Sequence, residues 1–308
     1  MKSVQLGLAL AALLASPAMA DTRIIGIPAG SGPYPAVAEV RADAPDHVVY
    51  RPAEMPGHAI PLVLWGNGAC RDNGLSASHF LREIASHGYV VVANGKAGEE
   101  QPALETLAPP PRFDGPPPAP RQTPDETTVA GMLAAIDWAE MVSADGGSLA
   151  GKVDVTRVAA MGHSCGGLQA LAAGSDPRVT TVVAFASGVY NRPGSGLSGV
   201  RIGKDDLAKL HTPVAYVIGG PEDIAYPNAI DDFERINHVP VMLANLPVGH
   251  GGTFRLADGG DWARVGTAWL DWQLKGDAQA ARWFVGPGCR LCTTYGWTVQ
   301  RKQFPEFP

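Results

Sequence analysis

Ser164 stands between two glycines in Gly162-His163-Ser164-Cys165-Gly166, where a short apolar run, Arg157 to Met161, gives way to a helix-like run, Gly167 to Gly174. A serine hydroxyl becomes a useful nucleophile only when the backbone holds it at a sharp strand-to-helix turn, exposed to a base and beside amide donors. Glycines two residues to either side let such a turn close. The chemistry this spacing suggests is acyl transfer through a serine. In a chain with 37 glycines chance alone can supply the pentapeptide, so its partners have to be present as well.

The partners of a serine at such a turn follow it in the order acid, then histidine. Of the eight histidines, only His238 and His250 lie beyond the next two apolar runs. His238 precedes the run Val239 to Leu243, at the amino end of the strand it would open. His250 follows that run within Pro247-Val248-Gly249-His250-Gly251-Gly252, a glycine loop at the carboxyl end, and is the candidate base. The run before it, Pro213 to Ile218, leads into Gly219-Gly220-Pro221-Glu222-Asp223. Asp223 is favoured over Glu222 as the orienting acid, because a short side chain holds an imidazole at a defined position. Asp231 and Asp232, further on, read as solvated charges of the next helix. His163, directly before the serine, points toward the packing behind the turn and reads as a support rather than the base.

A tetrahedral oxyanion needs two donors. One is the amide of Cys165, after the nucleophile; the other is expected from the loop Trp65-Gly66-Asn67-Gly68-Ala69-Cys70, at Asn67. If both loops converge on one oxyanion, Cys70 and Cys165 become neighbours, close enough for a bridge of about 4.4 to 6.8 Å between Cα atoms. The spacing of Cys289 and Cys292 fits a local disulfide; a zinc site would need a second ligand pair that the sequence does not offer, so no metal is expected. Three pairings of the four cysteines remain open from sequence alone.

These residues need a scaffold. Apolar runs at Pro61 to Trp65, Tyr89 to Ala93, Arg157 to Met161, Val179 to Ala186, Pro213 to Ile218 and Val239 to Leu243 alternate with amphipathic segments. The latter are Ser76 to His87, Asp125 to Val142, Cys165 to Ala173, Tyr226 to Ile236 and Asp261 to Lys275. That alternation predicts an α/β fold with a mainly parallel central sheet and helices on both faces. His47 to Arg51 and Pro61 to Trp65, separated by Pro52, Pro56 and Gly57, suit an antiparallel hairpin at one edge. Residues 98–124 are proline-rich and extended, leaving the carboxyl edge of the sheet, where open α/β sheets bind ligands. Together with Tyr190 to Leu210 this stretch is expected to shape an acyl pocket, with Trp65, Tyr226 and Phe254 as candidate lining residues.

Bulk properties narrow the setting. Residues 1–20 read as an export signal: Lys2, an apolar stretch from Leu6 to Leu14, and Ala18-Met19-Ala20 before Asp21. The stretch is too short to be a membrane anchor. Residues 21–308, about 290 in number, suit a single domain, with 276–308 a C-terminal extension closed by the local disulfide. A net charge of −6 without a basic run leaves no footprint for nucleic acid. All four cysteines lie beyond the signal, as in chains of the periplasm or the extracellular space.

Taken together, Val63-Leu64-Trp65-Gly66-Asn67-Gly68-Ala69, Ile84-Ala85-Ser86-His87-Gly88-Tyr89-Val90-Val91, Met161 to Gly167, Gly219 to Asp223 and Gly249-His250 resemble the α/β-hydrolase superfamily. Within it they are similar to secreted esterases of the dienelactone hydrolase, cutinase-type polyester hydrolase and platelet-activating-factor acetylhydrolase group. The resemblance spans roughly Pro61 to Leu274. It implies an α/β-hydrolase fold and a carboxylesterase with Ser164 as nucleophile, His250 as base, Asp223 as orienting acid and the amides of Asn67 and Cys165 as oxyanion donors. It further implies no cofactor and a small-molecule or polymeric ester as substrate. Two positions depart from the polyester hydrolases: Asn67 stands where they carry an aromatic residue and Cys165 where they carry Met. Dienelactone hydrolases proper use a cysteine nucleophile. A serine peptidase of the same fold, or a catalytically silent binding protein, would share the same elements.

Overall fold

The computed structural model describes residues 21–107, 126–192 and 200–304. The residues read as an export signal, and most of the proline-rich stretch, lie outside them. Ten strands form one sheet in the order β1-β2-β3-β5-β4-β6-β7-β8-β9-β10. In chain order these are β1 (Thr22–Ala29), β2 (Ala36–Arg41), β3 (His47–Pro52), β4 (Ile60–Gly66), β5 (Val90–Asn94), β6 (Val153–His163), β7 (Val179–Phe185), β8 (Val214–Ile218), β9 (Val241–Asn245) and β10 (Thr298–Lys302). The six strands from β5 to β9 in this order run parallel, while β1, β2 and β3 at one edge and β10 at the other are antiparallel to their neighbours.

The parallel strands lie inside because they are apolar on both faces. Leu62 and Leu64 of β4 join one core with Val90 and Val92 of β5, whereas Val63 and Trp65 join the other with Val91 and Ala93. The period of two thus sends alternate residues into two separate cores. Helices α1 (Ser78–Ser86) and α5 (Gly260–Lys275) close one face. On the other lie α2 (Val129–Ser143), α3 (Cys165–Ala173) and α4 (Tyr226–Arg235).

The expected hairpin between His47–Arg51 and Pro61–Trp65 is not formed. β3 pairs with β2 and β5, and β4 sits between β5 and β6. A strand with bulky apolar residues on both faces needs cover on both, which an edge place against solvent does not provide. The edge hairpin is instead made by β2 and β3. The C-terminal extension adds β10 alongside β9 and carries the Cys289–Cys292 disulfide, with 5.1 Å between Cα atoms. Among the described residues no helix is long and apolar enough to cross a membrane.

Candidate functional site

Ser164 sits between β6 and α3 at φ 55°, ψ −117°, a backbone region that side chains other than glycine rarely enter. Its own backbone groups hold it there. The amide donates to the Phe185 carbonyl (2.9 Å), and the carbonyl accepts from the Gly167 amide (2.9 Å) and the Ser187 hydroxyl (2.7 Å). The flanking glycines allow the turn to be this tight. A Cβ at Gly162 would lie 2.2 Å from the Gly166 carbonyl oxygen, and one at Gly166 would lie 2.0 Å from the Gly66 carbonyl and 2.6 Å from the Asn67 nitrogen. The end of β4 therefore abuts the first turn of α3.

Three side chains from separate loops converge. His250 Nε2 lies 2.9 Å from Ser164 Oγ, and His250 Nδ1 lies 2.7 Å from Asp223 Oδ1. Asp223, in the turn after β8, is 1 % exposed; its oxygens also accept from the Gly219 amide (2.9 Å) and the Ala225 amide (2.9 Å). Burial pushes its pKa up, but the hydrogen bonds and charge of His250 and the two amides outweigh that and hold it below the usual value. An ionised carboxylate only accepts, so Nδ1 carries the imidazole hydrogen and Nε2 is left to accept from the serine hydroxyl. Glu222 is exposed and takes no part. His238 is bonded to the Leu210 carbonyl (2.9 Å) at the amino end of β9.

Asn67 and Cys165 are brought together at the same place. Cys165 is the first residue of α3, where amides have no acceptor within the helix. Asn67 is fully buried, its side-chain amide donating to the carbonyls of Asn94 (2.8 Å) and Arg71 (3.1 Å) while its oxygen accepts from Ser76 (3.1 Å). A disulfide joins Cys70 to Cys165, with 5.3 Å between Cα atoms. Both disulfides suit an oxidising compartment.

The His163 ring is engaged by the loops of His250 and Asn67. Its Nε2 donates to the His250 carbonyl (2.8 Å), a Cβ at Gly68 would meet its Nδ1 at 2.6 Å, and its ring lies 4.9 Å from that of Phe254. Burial and the neighbouring His250 push its pKa down to about 4. It wedges the base loop against the Asn67 loop as a neutral imidazole.

The readings of Trp65, Phe254 and Asp232 change, whereas that of Tyr226 does not. Trp65 is fully buried and Phe254 is 5 % exposed; with Phe80, Phe185 and Trp262 they form an aromatic core, so neither lines a cleft. An aromatic residue at a strand end faces core or cleft according to its parity along the strand, and Trp65 shares the parity of Val63. Tyr226 is half-buried at the start of α4 and packs on the opposite core. Asp232 is no solvated charge: fully buried, it accepts from Lys204 Nζ (2.6 Å), the Val189 amide (2.7 Å) and the Tyr216 hydroxyl (3.2 Å), and burial raises its pKa to about 6. Asp231 remains partly exposed, bonded to Arg235 and Lys204.

The described part of the proline-rich stretch and the residues that follow it are tied to the loops that carry His250 and Asn67. The Leu104 amide donates to the Arg255 carbonyl (2.7 Å), and the amides of Glu126 and Thr127 both donate to the Cys70 carbonyl (3.1 and 3.0 Å). Sequence reasoning missed Ser187, Asn94, Thr127 and Gln169. Two left a trace: Asn94 closes the apolar run of β5, and Gln169 is the lone polar side chain of α3, one turn after Cys165. A cavity of about 510 Å³ bordered by Glu83, Arg264, Thr267 and Trp283 shares no residue with the triad. Among the described residues no group of three or more His, Cys, Asp or Glu is placed to hold a metal. No protein-family model matches the chain, and a search of curated proteins finds no match either.

Proposed function

We propose that the chain is an exported serine ester hydrolase of the α/β-hydrolase superfamily. The observation that carries the reading is the position of His250, within hydrogen-bond reach of Ser164 Oγ on one ring nitrogen and of the buried Asp223 on the other. Nε2 takes the hydroxyl proton as Oγ bonds to the ester carbonyl carbon. The amides of Asn67 and Cys165 hold the oxyanion, each donor lowering the barrier by about 3 to 4 kcal/mol. The C–O bond to the alcohol then breaks as His250 returns the proton to the leaving oxygen. Water repeats the sequence on the acyl-enzyme, releasing the acid and restoring Ser164. Asp223 fixes the tautomer and stabilises the imidazolium throughout.

A panel of p-nitrophenyl acyl esters beside aminoacyl anilides tests this. The chain is expected to turn over esters and to be labelled by a fluorophosphonate at Ser164, and Ser164→Ala to abolish both with the melting temperature nearly unchanged. Turnover of anilides alone would replace the esterase with a peptidase. Neither turnover nor labelling would leave a binding protein.

A further inference from the structure

The loop that carries Asn67 is strained. Ala69 (φ 57°) and Cys70 (φ 48°) are consecutive residues with side chains in left-handed backbone, a conformation that persists only where the surroundings over-determine it. The disulfide to Cys165 is one restraint, acting at Cys70 Sγ. A second, polar one acts on the same residue's carbonyl. Gln169 Nε2 donates to Thr127 Oγ1 (3.1 Å), and Thr127 Oγ1 donates to the Cys70 carbonyl oxygen (3.1 Å). Gln169 Oε1 also accepts from Asn94 Nδ2 (3.4 Å), and the Asn94 carbonyl accepts from Asn67 Nδ2 (2.8 Å). Gln169 is fully buried, Asn94 is 4 % exposed and Thr127 6 %.

The arrangement follows from helix geometry. Gln169 lies four residues after Cys165 on α3, so the two share one face, one turn apart. That face reaches the strained loop twice, through the disulfide and through the amide. Burying a carboxamide in a helix of Leu and Ala costs stability unless its donors and acceptor are matched. Here the amide donates to Thr127 and its oxygen accepts from Asn94, and these two in turn bond Cys70 and Asn67, the residues that define the loop.

We propose that Gln169, Thr127 and Asn94 are positioning residues for the oxyanion site, a polar truss that sets the Asn67 amide against the elbow helix independently of the disulfide. This rests on the esterase reading. None of the three touches the substrate. The Cys70 carbonyl also accepts from the amides of Glu126 and Thr127, so losing the Thr127 hydroxyl removes only the donor that is tied to Gln169; it loosens the Ala69-Cys70 turn and shifts the Asn67 amide from the oxyanion, while the triad, held by other loops, stays intact.

The test compares Thr127→Val, which keeps shape and removes the hydroxyl, with Thr127→Ser, which keeps the hydroxyl; Gln169→Met removes the amide. Rates on a p-nitrophenyl ester are normalised to active sites titrated to completion with a fluorophosphonate. Affinity is measured for an alkyl trifluoromethyl ketone, whose hemiketal oxyanion occupies the same place. Thr127→Val and Gln169→Met are expected to lower kcat per titrated site about tenfold to thirtyfold, less than the roughly 10²- to 10³-fold for losing a donor outright, with KM within about twofold. The ketone should weaken by the same factor, and Thr127→Ser should restore both. Unchanged kcat per site with fewer titratable sites or a lower melting temperature would make the truss merely structural and overturn the proposal. Should Thr127→Val not fold, Gln169→Asn, which shortens the amide reach, decides by the same two measurements. A wild type that neither hydrolyses esters nor reacts with the fluorophosphonate refutes the esterase reading instead.

Discussion

Asp223 shows how environment makes one of two adjacent acids useful. Buried in the turn after β8, it keeps its charge because His250 and the amides of Gly219 and Ala225 repay the burial, whereas Glu222, one residue earlier, lies in solvent. Asp223→Asn replaces a pure acceptor with a group able to donate to Nδ1, which places the imidazole hydrogen on Nε2 and takes away the acceptor for Ser164. The expected result is a loss of about 10⁴-fold in kcat with little change in KM, by analogy with other triads. Initial rates per titrated site measure it, and a loss below tenfold would remove Asp223 from the mechanism. Chain order and loop position pointed to Ser164, Asp223 and His250 because each stands just past an apolar run. They could not tell which way Trp65 faces, since an aromatic side chain at a strand end serves a core or a cleft equally well, nor that Phe254, in the loop past β9, folds back into the aromatic core.

At the scale of elements, the site depends on β4 and α3 approaching closely enough that no side chain fits between them. Gly166 is the contact: a methyl there would stand 2.0 Å from the backbone of Gly66, which has no flexible end to yield. Gly166→Ala is expected to destabilise the fold by about 3 kcal/mol or more, whereas Gly57→Ala, where a Cβ meets nothing within 4 Å, serves as the neutral control. Thermal unfolding of the two variants against wild type checks this, and equal melting temperatures would mean that the elbow helix can withdraw freely. The central strands were legible because their residues are apolar on both faces, the pattern of a covered parallel strand. β10 was not: Thr298-Val299-Gln300-Arg301-Lys302 carries one apolar side chain and becomes a strand only by pairing with β9. β1 was hidden for a different reason: it carries Ile24, Ile25 and Ile27, but Gly26 and Pro28 interrupt the run, and its residues are almost all exposed along an outer edge. The position of β4 was misread because sequence adjacency to β3 suggested a hairpin, while its two-faced apolar pattern called for the interior.

Across the whole molecule, ties between residues distant in sequence decide what the local signals could not. The Cys70–Cys165 bridge closes a segment of 95 residues and Cys289–Cys292 one of 3, so the first constrains the unfolded chain more, by about 4 to 5 kcal/mol against about 2 in the loop-entropy account. Two buried titratable groups on opposite sides of the sheet add a pH dependence of opposing sign. His163 is depressed to about 4, by burial first and by His250 second, from an ordinary value near 6.5. As pH falls through that window the unfolded chain gains a proton that the folded chain refuses, and stability declines. Asp232 is raised by burial from about 3.8 to about 6, even against the Lys204 ammonium, so between those values the folded chain holds a proton that the unfolded one lacks, and stability rises as pH falls. Each contribution is on the order of 3 kcal/mol, and between about pH 6 and 4 they largely offset each other. Asp232→Asn, which leaves Lys204 paired with Asp231, should therefore expose the His163 slope: its melting temperature should drop more steeply than that of wild type from pH 6 to 4. His163→Asn should do the opposite, flattening or reversing the wild-type trend. Melting curves at half-unit steps from pH 4 to 7 read both slopes, and three parallel profiles would show that neither group holds a shifted proton in the folded chain.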